Sequence, residues 1–576
     1  MQHEFFPVSP RDGDDALERP PQGPYLRVVP LGGCGEIGRN MSVYETNDDI
    51  VVVDAGVQFP EEEMLGVDLV INDISYLIER KAKVRGLLLT HAHEDHIGGV
   101  AYFLAQLNVP VYGTDVTIAL LRGKLKEHKL LDRADLHVIE PGEELHLGSF
   151  TADFISITHS VAGSCSIALR TPLGTVVHTG DFKFDQTPID GHPSDIATLA
   201  QYGEEGVLLL CSDSTNAETP GHTPSERVVG DTFNDIFAHC DGRIIVTMFA
   251  SNVPRLQQTV DAAAKYGRKV CFVGRSMLNM SGIAIEHGYL TLAPGQQIRE
   301  HEIDDYPPKQ LCICTTGSQG EPTSALVRMA ARDHRRIKLV RGDTVILSAT
   351  PIPGNERSIG RTINNLFKLG VDVIYGRQRM AHVSGHGCQE ELLMMLNLTK
   401  PKFFMPVHGE YRMLVQHARL AQQTGVETDN IFVIDNGEVV QFTDKEDAKR
   451  VGRVYGGPVY VDGLGVGDVG EVVLRDRKHL SIDGMIVVTV AVDSSDGKVL
   501  AGPYITSRGF TFGSGAESDG MLEDVRRTAV EIMESGAREG LTEWAAIREH
   551  VHKGLQKFVY DRTKRRPMIV PVVMEV

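Results

Sequence analysis

Histidines and carboxylates are concentrated in one short stretch of the sequence, THAHEDH, at residues 90–96. Imidazole and carboxylate groups are common ligands of zinc and manganese in proteins. We expect His91 and His93 to face one cavity, whereas Asp95 and His96 face a neighbouring position. The stretch therefore predicts parts of two adjacent cation sites.

Since a zinc-like site needs about four ligands, further ligands must come from other parts of the chain. Three candidates each follow an apolar run and precede a turn: His159 in ITHS, Asp181 in HTGD and His408 in PVHGE. Two neighbouring divalent cations lower the pKa of a shared water and stabilise negative charge at the attacked centre. Together with THAHEDH, these residues predict a metal-dependent hydrolase.

Alternating strands and helices are the elements expected to position these ligands. KVRGLLLT predicts a buried strand that ends at the histidine stretch, and HIGGVAYFLAQLN predicts the helix that follows it. This alternation favours an α/β layer fold. From about residue 216 the strands lead into small-residue loops, and PKFFMPVHGE then returns to the first pattern. A second α/β unit is therefore predicted to be inserted into the first.

Several motifs carry a family resemblance. THAHEDH, THS, TGD and VHGE together resemble the metallo-β-lactamase superfamily, and SDST, HVSGH and PVHGE are similar to the landmarks of its β-CASP nucleases. LGGCGEIGRN, TTGSQGEP, SATPIPGNE and RRPMIVPVVMEV extend the resemblance to the bacterial ribonuclease J family. It implies an α/β protein: a metallo-β-lactamase αββα sandwich with an inserted β-CASP α/β domain and a small C-terminal α+β domain.

The expected domain limits follow from these motifs and from composition. They are a disordered N-terminal arm at 1–24, the metallo-β-lactamase domain at 25–215 and 379–452, the β-CASP domain at 216–378, a linker at 453–470 and the C-terminal domain at 471–576. A hairpin and an amphipathic helix are predicted in the last domain, with Trp544 in its core. The resemblance assigns that domain to subunit association, as a homodimer or homotetramer.

The resemblance also divides the ligands between two divalent cations, with zinc preferred and manganese as the alternative. One cation is assigned His91, His93 and His159, the second is assigned Asp95, His96 and His408, and Asp181 bridges both. Asp54 would orient a ligand from behind the metals.

HVSGH is a short polar loop of small residues that could wrap a phosphate. The resemblance implies that it binds a 5′-monophosphate or the phosphate beside the cut; its members are His382, Val383, Ser384, Gly385 and His386, with Ser251 as an addition. His386 is the expected proton donor to the leaving 3′-oxygen, oriented by Asp213. Asp181 completes the predicted catalytic set.

The resemblance implies cleavage of single-stranded RNA from the 5′ end and internally, with a preference for 5′-monophosphate ends. Messenger RNA decay and ribosomal RNA maturation are the implied roles. The net charge of −19 argues against a polyanionic partner, unless a local basic groove exists. RRIKLVR at 335–341 and DRTKRRP at 561–567 are the candidate basic stretches, although a solvated surface is the simpler interpretation of each.

Composition limits the remaining classes. No run of 18 or more apolar residues offers a membrane span, and the eight cysteines contain no C-x-x-C pair, which favours buried reduced thiols in a cytoplasmic protein. An additional calcium site is expected at Gly66, Asp68 and Asp462. GCGEIG and GVGDVG match a dinucleotide loop, but RNMSVYE and EVVLRD, which follow them, are predicted not to be helical.

Three alternatives remain open at this point. A small-molecule hydrolase of the same superfamily would leave the inserted unit and HVSGH unexplained. A β-CASP DNA nuclease would differ in its contacts to the 2′-hydroxyl group, which one sequence cannot show. A non-catalytic RNA-binding scaffold would be expected to lack some ligands, whereas all of the expected ones are present.

Overall fold

The computed structural model describes residues 16–61, 63–351, 355–376, 379–493, 499–510, 516–538 and 544–575. The chain divides into two compact units. The larger unit comprises the segment that ends at Phe59 together with Leu69–Val459, and the smaller comprises Pro60–Asp68 and the chain from Tyr460 onward.

Strands and helices are numbered along the chain. The strands of the larger unit are β1 (Leu26–Gly32), β2 (Cys34–Gly35), β3 (Met41–Glu45), β4 (Ile50–Val53), β5 (Leu69–Asn72), β6 (Val84–Leu88), β7 (Val111–Gly113), β8 (Leu136–Val138), β9 (Glu144–Leu147), β10 (Phe150–Ser156), β11 (Cys165–Thr171), β12 (Gly174–His178), β13 (Val207–Asp213), β14 (Ile244–Thr247), β15 (Lys269–Val273), β16 (Gln297–Ile298), β17 (Leu311–Thr315), β18 (Thr344–Leu347), β19 (Asp372–Ile374), β20 (Phe403–Val407), β21 (Gly409–Glu410), β22 (Glu438–Phe442) and β23 (Ala448–Arg453).

The helices of the larger unit are α1 (Ser75–Glu79), α2 (Glu94–Ile97), α3 (Val100–Gln106), α4 (Asp115–Glu127), α5 (Ile196–Glu205), α6 (Arg227–His239), α7 (Val253–Lys265), α8 (Arg275–Glu286), α9 (Ala325–Ala330), α10 (Glu356–Leu369), α11 (Gln389–Thr399) and α12 (Tyr411–Gln423).

Two sheets form the centre of the larger unit, in the strand orders β23-β22-β1-β3-β4-β6-β7-β8 and β20-β13-β12-β11-β10-β9. Alternation along β4 shows how they pack, because Val51 and Val53 join the core between the sheets whereas Ile50 and Val52 pack against α3 and α4. Helices α5, α11 and α12 cover the other face of the second sheet. This four-layer arrangement confirms the predicted αββα sandwich.

The inserted unit is a sheet of six parallel strands in the order β16-β15-β17-β14-β18-β19. Both of its faces are buried, since Cys312 and Cys314 pack on one side and Ile313 on the other. The chain enters the insertion after β13 and returns at β20, and these two strands pair directly in parallel. The insertion therefore begins and ends beside the same strand ends.

The smaller unit contains β24 (Pro458–Asp462), β25 (Gly465–Val466), α13 (Glu471–Asp483), β26 (Met485–Val492), β27 (Val499–Arg508), α14 (Ala516–Arg538), α15 (Trp544–Thr563) and β28 (Met568–Glu575). β26 pairs with β27 as the predicted hairpin and with β28 in parallel. The prediction that EVVLRD is not helical is wrong, because these residues form the first turns of α13. The side chain of Trp544 lies outside the described residues.

The expected 1–24 arm falls partly outside the described residues, at positions 1–15. Residues 16–24 of the expected arm are described, and two of them contact the sandwich: Ala16 bridges to Arg453, and the Glu18 amide donates to the Val451 carbonyl at 2.9 Å. All eight cysteines are free thiols, and only Cys240 is not fully buried. Among the helices of the described ranges, none is long and apolar enough to cross a membrane.

Candidate metal centre

The ligands predicted from the sequence lie at the carboxyl ends of neighbouring strands. β12, β13 and β20 are parallel, so the residues that follow them meet at one edge of the sheet. Asp181 follows β12, Asp213 ends β13 and His408 follows β20, while THAHEDH follows β6 on the facing sheet. Side chains from four separate segments of the chain therefore lie close together.

Three histidines and one aspartate form the first group. His93 Nδ1 lies 3.1 Å from His91 Nε2 and 3.1 Å from His159 Nε2. Asp181 Oδ2 lies 3.5 Å from His91 Nε2 and 3.7 Å from His159 Nε2. All four ligand atoms lie within 4.8 Å of one another, which fits a four-ligand cation site.

The second group shares Asp181 with the first. His96 Nε2 lies 3.2 Å from Asp181 Oδ2, and His408 Nε2 lies 3.7 Å from Asp181 Oδ1. Asp95 Oδ2 completes the group at 3.2 Å from His408 Nε2. Asp181 Oδ2 thus lies near donors of both groups while Oδ1 faces His408, so this carboxylate lies between the two candidate sites.

Asp181 provides the test of whether cations fit here. It is only 2% exposed, and neither of its carboxylate oxygens has a hydrogen-bond partner among the described residues. A buried carboxylate without hydrogen bonds is costly unless positive charge neutralises it. The imidazole nitrogens and the second carboxylate around it are suitable ligands for divalent transition metals. The donor set therefore fits a pair of divalent cations.

Each histidine that presents Nε2 to the centre is held through its other ring nitrogen. His91 Nδ1 lies 3.0 Å from Thr90 Oγ1, and His96 Nδ1 lies 2.7 Å from Asp54 Oδ2. Such contacts fix the ring orientation of metal ligands and raise their basicity. The other two rings are held in the same way, His159 by the Gly385 carbonyl at 2.7 Å and His408 by Thr215 Oγ1 at 2.6 Å.

The charges differ between the two groups. Burial lowers the pKa of His91 and His159 well below the ordinary value and that of His93 to about 4, so these rings are neutral donors. Burial also acts on His96, but Asp181, Asp95 and Asp54 outweigh it and raise its pKa to about 10. A cation that binds the second group must therefore displace a proton.

His386 and Asp213 lie beside the second group. Asp213 Oδ2 is 2.8 Å from His386 Nδ1. Burial would lower the pKa of His386, but Asp213 and Asp181 outweigh burial and raise it. The ring of His386 is stacked at 5.5 Å from that of His408, so an imidazole with a raised pKa lies next to the metal ligands.

The HVSGH loop is bonded directly to this centre, because the Gly385 carbonyl accepts from His159. Residues that sequence reasoning missed hold the loop from outside. Asn216 Nδ2 donates to Ser384 Oγ and to the His386 carbonyl, both at 2.9 Å. Asn216 directly follows SDST, so its position in the sequence was a usable signal.

Arg255 is the second missed residue, and nothing in its sequence context marked it. It is fully buried, and its guanidinium forms two hydrogen bonds with Glu226 at 2.7 and 2.8 Å. It also donates to the Val383 carbonyl at 3.1 Å and lies 2.5 Å from His382 Nδ1. His382 is therefore turned toward Arg255.

Two expected loop members are placed differently from the rest. Val383 is buried in the core of the inserted unit, so it offers only its backbone. Ser251 precedes α7, and the described contacts do not join its side chain to the HVSGH loop.

The expected calcium residues lie in the smaller unit, where Arg477 is their neighbour. Its guanidinium is 2.5 Å from Asp462 Oδ2 and donates to the Leu65 carbonyl beside Gly66. Asp68 accepts from the Gly463 amide at 2.8 Å. An arginine thus already neutralises one of the two carboxylates, and the calcium site stays a prediction.

The sandwich, the inserted parallel sheet and the histidine–aspartate centre define a metallo-β-lactamase-type hydrolase with a β-CASP insertion. Family models match along the chain: Metallo-beta-lactamase superfamily at 34–274, Ribonuclease J, beta-CASP domain at 241–366, Zn-dependent metallo-hydrolase RNA specificity domain at 370–432, and Ribonuclease J C-terminal domain at 472–576.

Curated relatives match over almost their whole length. Ribonuclease J2 of Bacillus subtilis is 43% identical over 551 residues, covering 96% of this chain and 99% of its own. Ribonuclease J of Thermus thermophilus is 45% identical over 558 residues, covering 96% and 95%. A crystal structure of a protein of unknown function from Enterococcus faecalis has a TM-score of 0.53 at 16% identity, covering 73% of this chain and 100% of its own, and supports the fold alone.

The chain belongs to the ribonuclease J family. Its centre is that of a metal-dependent nuclease, and the small-molecule hydrolase and DNA nuclease alternatives are not favoured.

Proposed function

We propose that the chain hydrolyses phosphodiester bonds of single-stranded RNA, both stepwise from 5′-monophosphate ends and internally. The observation that carries this proposal is the 2.7 Å hydrogen bond between the Gly385 carbonyl and His159. It joins the polar HVSGH loop directly to one of the metal ligands. A terminal phosphate held by the loop would therefore place the next phosphodiester bond at the centre.

Zinc is the preferred occupant, with manganese as the alternative, because imidazole is the commonest donor here. His91, His93 and His159 would hold one cation, Asp95, His96 and His408 would hold the other, and Asp181 would be shared by both. When bound, the cations lower the pKa of a water and neutralise charge that develops on the attacked phosphate.

His386 supplies the proton that the leaving 3′-oxygen needs. Asp213 holds Nδ1 of the ring, so Nε2 is the atom left to donate. Asp213 and Asp181 raise the pKa of His386, which favours the protonated form that a proton donor needs. Asp213 acts through His386 by fixing its orientation and stabilising its charge.

Ser384 and the backbone amides of 384 and 385 are the proposed phosphate ligands, since the His386 amide already donates to Ser384 Oγ at 3.1 Å. Asn216 holds the loop at Ser384, and Arg255 holds it at the Val383 carbonyl. Arg255 and its partner Glu226 are both buried. Ser251 is proposed as a further phosphate ligand, since it precedes α7, whose Arg255 already contacts the loop. Because these contacts recognise a phosphate and not a base, low sequence specificity is expected.

The biological setting is inferred from the family and from composition. The relatives' names indicate ribonucleases, which supports roles in messenger RNA decay and ribosomal RNA maturation. The free, buried cysteines are consistent with a cytoplasmic location. The C-terminal unit, 471–576, is proposed to associate into a homodimer or homotetramer, and a calcium ion at Gly66, Asp68 and Asp462 is proposed as a further structural ligand.

The test uses RNA labelled at a 5′-monophosphate or a 5′-triphosphate, with and without a chelator. We expect mononucleotide release from the monophosphate only, lost with chelator and restored by zinc or manganese. The variant His93→Ala should be inactive under all conditions. RNA turnover that survives chelation would contradict the proposal. Equal mononucleotide release from the monophosphate and triphosphate strands would also contradict it.

A further inference from the structure

The outward face of α10 carries a row of cations. Arg357, Arg361 and Lys368 are all exposed, and their spacing places them along one stripe of the helix, opposite the buried Ile359 and Leu366. None of the three forms an ion pair with a residue in the described ranges. The stripe is therefore an uncompensated positive surface on a chain whose net charge is −19.

Helix stability does not explain this row. A cation in the first turn, such as Arg357, is unfavourable because the helix dipole is positive there. Glu356 is the only acidic residue of α10 and lies at that same end. Lys368 in the last turn is the only one of the three cations that the dipole favours.

An exposed aromatic pair lies beside the far end of the stripe. Phe367 is 52% exposed and Tyr375 is 45% exposed, and their rings meet edge to face at a centroid distance of 6.2 Å. Large apolar side chains exposed together commonly mark an interaction site. Exposed aromatic rings next to cations are the combination that single-stranded nucleic acids bind, by base stacking and phosphate contacts.

The near end of α10 lies at the carboxyl edge of the inserted sheet. Ser358 Oγ donates to the Gly320 carbonyl at 2.5 Å, and Gln319 donates to the Thr350 carbonyl at 2.9 Å. Ser348, earlier in the same loop, accepts from Arg255, the residue that holds the HVSGH loop. Helix α10, which carries the stripe, is roughly 20 Å long. Its near end therefore lies at the loop whose Ser348 contacts Arg255.

We propose that this α10 face, made of Arg357, Arg361, Phe367, Lys368 and Tyr375, binds the part of an RNA strand that extends beyond the nucleotides held at the metal centre. The cations contact phosphates, and the two rings stack on bases. This inference rests on the proposed function, since it extends the path of the same substrate. The α10 face is therefore expected to raise the affinity for long RNA strands only.

The cation test compares two triple variants with the same change in charge. Arg357→Gln/Arg361→Gln/Lys368→Gln alters the α10 face, and Arg122→Gln/Lys126→Gln/Lys129→Gln alters equally exposed cations on and after α4. We expect the α10 variant to bind long single-stranded RNA about tenfold more weakly in chelator, with a salt slope reduced by roughly 2. Equal effects of both variants would overturn the proposal.

The stacking test uses Phe367→Ser/Tyr375→Ser with an ordinary strand and an abasic strand. We expect weaker binding of the ordinary strand and unchanged binding of the abasic one, because only bases stack. Equal losses on both strands, or a changed oligomeric state of either α10 variant in sedimentation, would overturn the proposal and indicate a protein interface.

A short 5′-monophosphorylated oligonucleotide separates this inference from the function itself. All variants should turn it over like the unaltered chain, which also verifies that they are folded. If the unaltered chain fails to cleave it, the proposed function fails. If that cleavage is normal and the α10 variant also binds long RNA normally, only the α10 inference fails.

Discussion

Asp54 and His408 have left-handed backbone conformations, with φ angles of 62° and 52°. This conformation is unfavourable for residues other than glycine and costs about 1–3 kcal/mol each. Both residues follow a strand directly, and both turn their side chains into the metal centre. We infer that the strain is retained because it aims these side chains at His96 and Asp181.

Gly385 is the residue at which a single added carbon should disturb the centre. A Cβ there would lie 2.6 Å from Cε1 and 2.8 Å from Nδ1 of His159. We expect Gly385→Ala to displace the ring and lower the affinity for one cation about 10- to 100-fold, the usual cost of losing such a supporting contact. Metal titration of chelator-treated protein measures this.

Gly282→Ala is the matched control, because a Cβ at Gly282 would meet no atom within 4 Å. It should bind metal like the unaltered chain. Normal metal binding by Gly385→Ala would show that the loop is not coupled to His159 in the way described.

The role of His386 predicts a dependence on the leaving group. His386→Gln should lower kcat on RNA by about 10²- to 10⁴-fold, since the 3′-oxygen then leaves without a proton. A strand whose leaving 3′-oxygen is replaced by sulfur needs no such proton, so most of the loss should disappear. Steady-state rates on the two substrates test this, and an equal loss on both would rule out His386 as the acid.

At the level of elements, α12 supports the strand ends from behind through His417. The ring is fully buried, lies 4.8 Å from Phe404 and holds Ser214 Oγ at 3.0 Å. Burial lowers the pKa of His417 to about 3, whereas an unfolded histidine has a pKa of about 6.5. The unfolded chain therefore takes up a proton that the folded chain does not.

The free energy of unfolding therefore rises with pH between these two pKa values. The stabilising effect of a neutral His417 is complete above about pH 6.5 and is lost as the pH falls toward 3. In chelator, the unfolding free energy of His417→Gln should fall less than that of the unaltered chain between about pH 6 and pH 5. The difference should be up to about 1.4 kcal/mol per pH unit. Denaturant unfolding at several pH values measures this, and parallel curves for the two proteins would contradict it.

Across the whole molecule, the sequence predicts ligand residues that their own type and neighbours indicate. It misses contacts between residues that are far apart in the chain. THAHEDH and the strand-end residues His159, Asp181 and His408 could be found because each carries its own chemical signal. Their grouping into two sites depended on the family resemblance. The hydrogen bond between His159 and Gly385 could not be predicted, because it joins residues 226 positions apart.

The sequence also misplaces EVVLRD and misses Arg255. EVVLRD is predicted not to be helical, yet it forms the start of α13, a helix with no buried residue. Arg255 looks like an ordinary helix residue in sequence. Only the fold shows that Glu226, Ser348 and Val383 surround it.

The central claim is that two cations share Asp181. Native mass spectrometry of zinc-loaded protein counts the ions per chain, for the unaltered chain and for Asp181→Asn and His408→Gln. We expect two ions in the unaltered chain, one in His408→Gln and weakened binding of both in Asp181→Asn. Two firmly bound ions in Asp181→Asn, or a single ion in the unaltered chain at saturating zinc, would contradict it.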